Sequence, residues 1–257
     1  MTDILGTDAD DFLIGTPEAD MIQGLAGSDL IIGLEGDDTL DGGDGNDTID
    51  GSIGNDTITT GLGDDVIYGG EGDDNVGGMA GADVVYGGEG ADVVVWNDPT
   101  GDRVFGEGGN DDLRGGDVAA DTIFGGAGDD LIRGVADLGL GDHAPDILVG
   151  DAGNDVIIGG NGADTIEGGA DTDLLIGFGG ADRFVFRPDA AGADVILDFD
   201  GTQDIVDLGG FGPEFNPLAN LSQEVFGTVL HLGENVGEIM FVGLQATEFT
   251  EANFLIA

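Results

Sequence analysis

The stretch GGDGNDTID, Gly42–Asp50, decides how this chain is read. It is the cleanest copy of a nine-residue unit: Gly-Gly-x-Gly-x-Asp, then any residue, an apolar residue and any residue. Outward from it, the sixth-position aspartate recurs at Asp11, Asp20, Asp29, Asp38, Asp47, Asp56, Asp65, Asp74, Asp83 and Asp92, always nine residues apart. Two residues after each stands an aliphatic residue: Leu13, Ile22, Ile31, Leu40, Ile49, Ile58, Ile67, Val76, Val85 and Val94. A fixed period of this kind marks a stacked repeat rather than an ordinary domain.

Beyond Val94 the register slips without breaking. Trp96–Phe105 and Gly115–Phe124 are ten-residue units ending in Asp102/Val104 and Asp121/Ile123. Gly106–Arg114 and Gly125–Arg133 keep nine, with Asp111/Leu113 and Asp130/Ile132. Gly134–Val149 carries seven extra residues before Asp146 and Leu148. Four further units supply Asp155, Asp164, Asp173 and Asp182, giving nineteen in all. After Val185 the period stops. Glycine thins out, phenylalanine rises, and Asp194–Phe199, Asp204–Leu208 and Glu238–Val242 read as strands. We place a boundary near Arg187-Pro188, dividing residues 1–186 from 187–257.

Composition narrows the partners. The chain has 54 acidic residues against five arginines and no lysine, for a formal net charge of -49. That field repels nucleic acid and anionic membrane, and it attracts cations. Acidity this strong commonly means disorder, but 40% of the residues are hydrophobic and they fall at fixed spacing. The expectation is a chain that folds once a cation neutralises it. The absence of cysteine excludes disulfides and thiolate metal sites. Met1–Leu13 has neither a basic n-region nor an apolar h-region, so no classical signal peptide is expected, and no apolar run reaches membrane-spanning length.

Each unit divides into a glycine-rich half, suited to a tight turn, and an apolar-centred half. In a strand, alternate side chains face opposite ways, so the central aliphatic points inward. Two units, or eighteen residues, then make one turn of a coil with a short three-residue strand on each side. Stacking sets aspartates eighteen residues apart, such as Asp29 and Asp47, roughly 4.8 Å from each other. Each such pair repels by about 0.9 kcal/mol in water, and the columns together by on the order of 15 kcal/mol. That equals the stability of a whole domain. A divalent cation between turns reverses the sign. Two aspartates and the carbonyls of two glycine turns supply the six to eight hard oxygens that calcium takes, whereas magnesium demands a tighter octahedron. Softer metals want sulfur or imidazole, and the chain has only His143 and His231.

Complete loops lie at Gly42–Asp47, Gly69–Asp74, Gly87–Asp92, Gly125–Asp130 and Gly159–Asp164. Gly33–Asp38, Gly51–Asp56, Thr60–Asp65, Gly78–Asp83 and Gly150–Asp155 are nearly complete. The first two units, GTDADD and GTPEAD, lack the fourth-position glycine and are expected to bind weakly or to cap the coil. Sites next to the Trp96, Gly115 and Gly134 insertions are also doubtful.

These units resemble the calcium-binding nonapeptides of the repeats-in-toxin (RTX, haemolysin-type) family, over about residues 6–185. The resemblance implies an all-β fold: a right-handed parallel β-roll, a calcium-stapled solenoid, capped by a small C-terminal β domain. It implies several calcium ions, held by Asp29, Asp38, Asp47, Asp56, Asp65, Asp74, Asp83, Asp92, Asp111, Asp130, Asp155, Asp164, Asp173 and Asp182. Loop carbonyls would join them, drawn from Gly42, Gly45, Gly69, Gly72, Gly87, Gly90, Gly125, Gly128, Gly159 and Gly162. Gly192–Leu208 is similar to the segment that follows the repeats in serralysin-type C-terminal domains. Phe241–Ala257 looks like the uncleaved signal of type I exported proteins, which implies export by that machinery and an extracellular location.

Family members commonly carry an effector ahead of the repeats. Here the repeats begin within about six residues of Met1. Either the protein is all scaffold or this chain is a fragment; the first expectation is a non-enzymatic calcium-binding protein that folds in extracellular calcium. The alternatives are the RTX portion of a larger enzyme or toxin, or a calcium-dependent module that binds polysaccharide or a cell surface. No HExxH motif, GxSxG elbow, Cys/His pair or P-loop lysine argues for catalysis. His143 reads as a loop residue, His231 as part of the tail core, and Trp96 as filler of a bulge rather than a sugar platform.

Overall fold

The computed structural model describes residues 2–78, 80–96, 99–116, 119–135, 144–190, 192–233 and 236–256. His143 lies outside the described residues. The chain winds through two sheets alternately, so that successive strands belong to opposite sheets and strands two apart pair in parallel. This is an all-β parallel β-solenoid of about eleven turns. The period is the eighteen residues read from the sequence: Leu40 pairs with Ile58 in one sheet and Ile31 with Ile49 in the other.

The aliphatic ladders fill the space between the sheets. Ile22, Leu40, Ile58, Val76, Val94, Leu113, Ile132, Ile157 and Leu175 line one side. Ile31, Ile49, Ile67, Val85, Val104, Ile123, Leu148, Ile166 and Phe184 line the other, and all are buried. Each contributes about 1.5–3 kcal/mol by leaving water. The neighbours of these residues point outward. In one outward column Tyr68, Tyr86, Phe105 and Phe124 stack ring on ring, with centroids 5.1, 5.0 and 5.2 Å apart.

Most strands are longer than the expected three residues. Thr48–Ile53 and Thr39–Asp44, for example, have six. Pairing continues through the first three positions of the next unit, as Leu34 with Ser52 and Glu35 with Ile53. The corner does not interrupt the ladder because every turn bends at the same place. The bend sits at the second position, where Gly43 takes φ +102°. Leu25, Leu34 and Ser52 hold positive φ at the same position without being glycine, which costs about 1–3 kcal/mol each.

The two sheets run on past Arg187-Pro188. Gly192–Ile196 pairs with Leu174–Phe178, and Ile205–Asp207 with Arg183–Val185. Gly237–Val242 then adds in parallel to the first sheet, followed by antiparallel Gly227–Gly233 and Leu221–Gln223. Phe254–Leu255 closes the second sheet. Phe184, Phe199, Phe241, Phe249 and Phe254 pack together at this end. His231 does not join that core as expected. It lies on the exposed face of its strand, 2.9 Å from Ser222 Oγ and 3.4 Å from Glu238. Among the described residues no helix is long and apolar enough to cross a membrane.

Candidate metal centres

Stacking places the aspartates in two columns, one along each edge of the solenoid, and all of those in the repeats after Asp11 are buried. The backbone N–H of each aspartate donates to Oδ1 of the aspartate one turn later. One column runs Asp11, Asp29, Asp47, Asp65, Asp83, Asp102, Asp121, Asp146, Asp164, Asp182 and Asp204, at 2.8–3.0 Å per step. The other runs from Asp20 through Asp38, Asp56, Asp74, Asp92, Asp111, Asp130, Asp155 and Asp173 to Asp194. The columns are therefore hydrogen-bonded chains as well as rows of like charge, which spacing alone did not reveal.

Both columns extend one member beyond the repeats. The sequence presents Asp194 and Asp204 only as the starts of strands. The signal was present, since each precedes an aliphatic by two residues (Ile196, Val206), but the steps of 21 and 22 residues hid it. The fifth position carries a second ladder with the opposite direction. Asn46 Oδ1 accepts from Asp64 N–H (3.1 Å), and Asn55 Oδ1 from Asp73 N–H (3.0 Å).

Oδ1 is thus satisfied by protein, and Oδ2 is not. In Asp29, Asp38, Asp47, Asp56, Asp65, Asp74, Asp92, Asp111, Asp130, Asp155, Asp173 and Asp182 the buried Oδ2 has no hydrogen-bond partner. Each except Asp65, whose unit opens on Thr60, faces the first glycine of its own unit. A Cβ added at Gly42 would press on Asp47 Oδ2 and on the carbonyl oxygen of Thr60, 2.6 Å away. At Gly69 the same two places are held by Asp74 Oδ2 (2.5 Å) and the Gly87 carbonyl, and at Gly87 by Asp92 Oδ2 (2.5 Å) and the Gly106 carbonyl (2.9 Å). Gly125 faces Asp130 Oδ2 and the Gly150 carbonyl, and Gly159 faces Asp164 Oδ2 and the Gly177 carbonyl.

The fourth-position glycines Gly45, Gly72, Gly90 and Gly128 have φ between +127° and +138° and lie against the carbonyl of the turn before. Gly162, beside the long insertion, does not adopt positive φ; it sits against Ala144 O and 2.5 Å from Asp164 Oδ1, both measured from an added Cβ.

An orphaned, buried carboxylate oxygen next to a carbonyl oxygen is a strongly electronegative point with no proton donor in reach. That is the environment of a hard cation. Among the described residues no three Asp, Glu, His or Cys side chains converge, so any cation here depends on backbone carbonyls for most of its ligands. Among the described residues, four of the five arginines are engaged elsewhere. Arg114 and Arg133 both pair with Asp112, Arg183 with Asp207 and Arg187 with Glu167, all outside the two columns.

At several other aspartates Oδ2 finds an internal donor. Asp11 Oδ2 accepts from Thr7 N–H (2.6 Å) and Thr7 Oγ1 (2.9 Å), and Asp20 Oδ2 from Thr16 N–H (2.6 Å) and Thr16 Oγ1 (2.8 Å). Asp121 Oδ2 accepts from Gly116 N–H (2.7 Å), and Asp204 Oδ2 from Asp200 N–H (2.7 Å). Asp83 Oδ2 accepts from the indole of Trp96 (2.8 Å), which sets it apart from the other aspartates picked out by the repeat.

Burial outweighs the backbone hydrogen bond at the column carboxyls, reinforced at all of the following but Asp194 by the charge of neighbouring aspartates. It pushes Asp65, Asp74, Asp130, Asp155, Asp173 and Asp182 up to about 7, and Asp56, Asp92 and Asp194 to about 6. Without a cation, the folded columns hold on to protons.

The RTX calcium-binding nonapeptide repeat family matches residues 5–40, 41–76, 68–95, 101–119, 119–137, 144–175 and 158–186, well over half of the chain. The chain belongs to this family. RTX repeats imply calcium binding, and the orphaned oxygens and glycine cradles fit that ion. A search of the curated proteins gave no match. Among solved structures, the chain is similar to the extracellular lipase LipA of Serratia marcescens, at 18% identity and a TM-score of 0.44. That likeness covers 82% of this chain and 45% of the lipase, so the chain spans less than half of the lipase's length. It is also similar to the AlgE6R2 subunit of the Azotobacter vinelandii mannuronan C5-epimerase, at 29% identity and a TM-score of 0.38, over 52% of this chain and 92% of that one. The AlgE6R3 subunit of the same enzyme gives 28%, 0.24, 53% and 78%. All three TM-scores lie below 0.5.

The RTX assignment makes Asp47→Asn informative. Asparagine keeps the Oδ1 acceptor for Asp29 N–H and removes the charge at Oδ2. The expected result is a folded chain holding one calcium ion fewer at saturation, read by native mass spectrometry.

Proposed function

We propose that this RTX chain is a secreted, non-enzymatic calcium-binding β-roll that folds on meeting extracellular calcium after type I export. The observation that carries the reading is the row of buried, partnerless Oδ2 atoms along both edges. In a calcium-poor cytosol those oxygens and the net charge of -49 oppose stacking, and the chain stays open for export. Extracellular modules bind calcium at about 10⁻⁴–10⁻³ M, so external calcium supplies the missing charge and oxygen coordination. Folding then follows by mass action.

The chain's own residues set the geometry. The aspartates present Oδ2, the first-position glycines leave room, and the N–H to Oδ1 ladder fixes each carboxylate's orientation. The test is a calcium titration of the chain, followed by far-ultraviolet circular dichroism and hydrodynamic radius, with magnesium as control. The expected result is a cooperative gain of β signal with compaction in calcium only. A β signal that persists unchanged in chelator overturns the reading.

A further inference from the structure

The two aspartate columns are unequal. In the column from Asp20 to Asp194, the Oδ2 atoms of Asp38, Asp56, Asp74, Asp92, Asp111, Asp130, Asp155 and Asp173 are partnerless without a gap. The other column is interrupted in the middle of the solenoid. All three units with extra residues precede members of that column, namely Asp102, Asp121 and Asp146.

The first of these slips puts Trp96 where a first-position glycine belongs. Its side chain does not splay outward. Trp96 is completely buried, so it offers no face to a sugar. The ring lies against Gly78: a Cβ added there would meet Trp96 Cε2 at 2.6 Å, Nε1 at 2.7 Å and Cζ2 at 2.8 Å. At Gly42, Gly69 and Gly87 that space belongs to Oδ2 of the unit's own aspartate and a carbonyl of the next turn. Here the indole fills it, and Nε1–H donates to Asp83 Oδ2 at 2.8 Å. A buried carboxylate accepts such a bond strongly because the alternative is an unsolvated charge.

We propose that Trp96 takes the place of a calcium ion at Asp83: the indole is a built-in plug that occupies the cation position and supplies its hydrogen bond instead. This turn is then clasped without calcium. It separates two groups of cation sites on its edge while the opposite edge stays continuous. The substitution is chemically economical. Indole N–H is a donor only, so it answers an acceptor oxygen as a cation would, and its ring fills the volume that coordination would otherwise occupy. The proposal rests on the calcium-binding reading above, and it goes further by naming a repeat that the ion does not enter.

The experiment uses the full chain in saturating calcium. The chain has one tryptophan, so its indole proton gives one identifiable nuclear magnetic resonance signal. That proton is expected to be protected from exchange in the calcium-loaded protein; a rapidly exchanging, solvent-like indole proton overturns the plug. Calcium stoichiometry by native mass spectrometry is the second measurement. Asp83→Asn is expected to hold as many ions as the parent, whereas Asp47→Asn holds one fewer. Loss of an ion from folded Asp83→Asn overturns the proposal.

If Asp83→Asn does not fold, Trp96→Gly decides. Reopening the space is expected to add one ion, and an unchanged count counts against the plug. A parent chain that binds no calcium at all would defeat the calcium reading itself. The protected indole proton would still report the hydrogen bond, so the two failures are distinguishable.

Discussion

In calcium-free buffer the chain is expected to hold markedly more β structure at about pH 5 than at about pH 8. The sign follows from the carboxyls. Asp65, Asp74, Asp130, Asp155, Asp173 and Asp182 are pushed up to about 7 in the folded state, and Asp56, Asp92 and Asp194 to about 6, from an ordinary value of 3.8. Between the ordinary value and the raised ones, the folded chain binds more protons than the unfolded chain. Stability therefore falls as pH rises through that window and is regained as pH falls. Protonation does part of what a cation does, by removing the buried charge at Oδ2 and lessening the repulsion between turns.

Calcium pulls the other way, because each bound ion must displace those protons. The calcium needed for half-folding is thus expected to rise on acidification even as the calcium-free form gains structure. Circular dichroism at the two pH values, with chelator and across a calcium titration, checks both. A calcium-free β signal that drops on acidification would contradict the buried columns.

The second large effect is expected from Gly45→Val. Gly45 belongs to the repeat Gly42–Asp50 and has φ +138°, which a β-branched residue avoids. An added Cβ there also collides with the Gly27 carbonyl of the preceding turn. Strain and overpacking together cost on the order of 4 kcal/mol, enough to push the calcium midpoint of folding far upward or abolish the transition. Gly243→Ala separates the two causes. Gly243 has φ +82° with nothing within 4 Å of an added Cβ, so only the backbone term remains, about 1 kcal/mol. Denaturant midpoints in saturating calcium measure both variants. Equal losses would show that the collision between turns contributes nothing.

The sequence alone determined the period, and the period determined most of the fold. Nine residues with one inward aliphatic permit a two-sided, eighteen-residue turn, and Leu40 over Ile58 or Ile31 over Ile49 confirms it. The two rows of aspartates follow from the same arithmetic, and so does the need for something positive between turns. Periodicity can be read this way because it records what every turn shares.

What each turn does differently was decided by tertiary structure. The split of every carboxylate into a bonded Oδ1 and an orphaned Oδ2 depends on which way the side chain leans across turns, and spacing is silent on that. Thr7 and Thr16 close the first two sites because their hydroxyls fold back onto Asp11 and Asp20. Asp194 and Asp204 rejoin the columns despite irregular spacing because the sheets continue beneath them. Trp96 could be read only as filler until its neighbours were known. A unique residue has no repeat to reveal its role, and only the cavity around Gly78 and Asp83 gives its indole a direction and a partner.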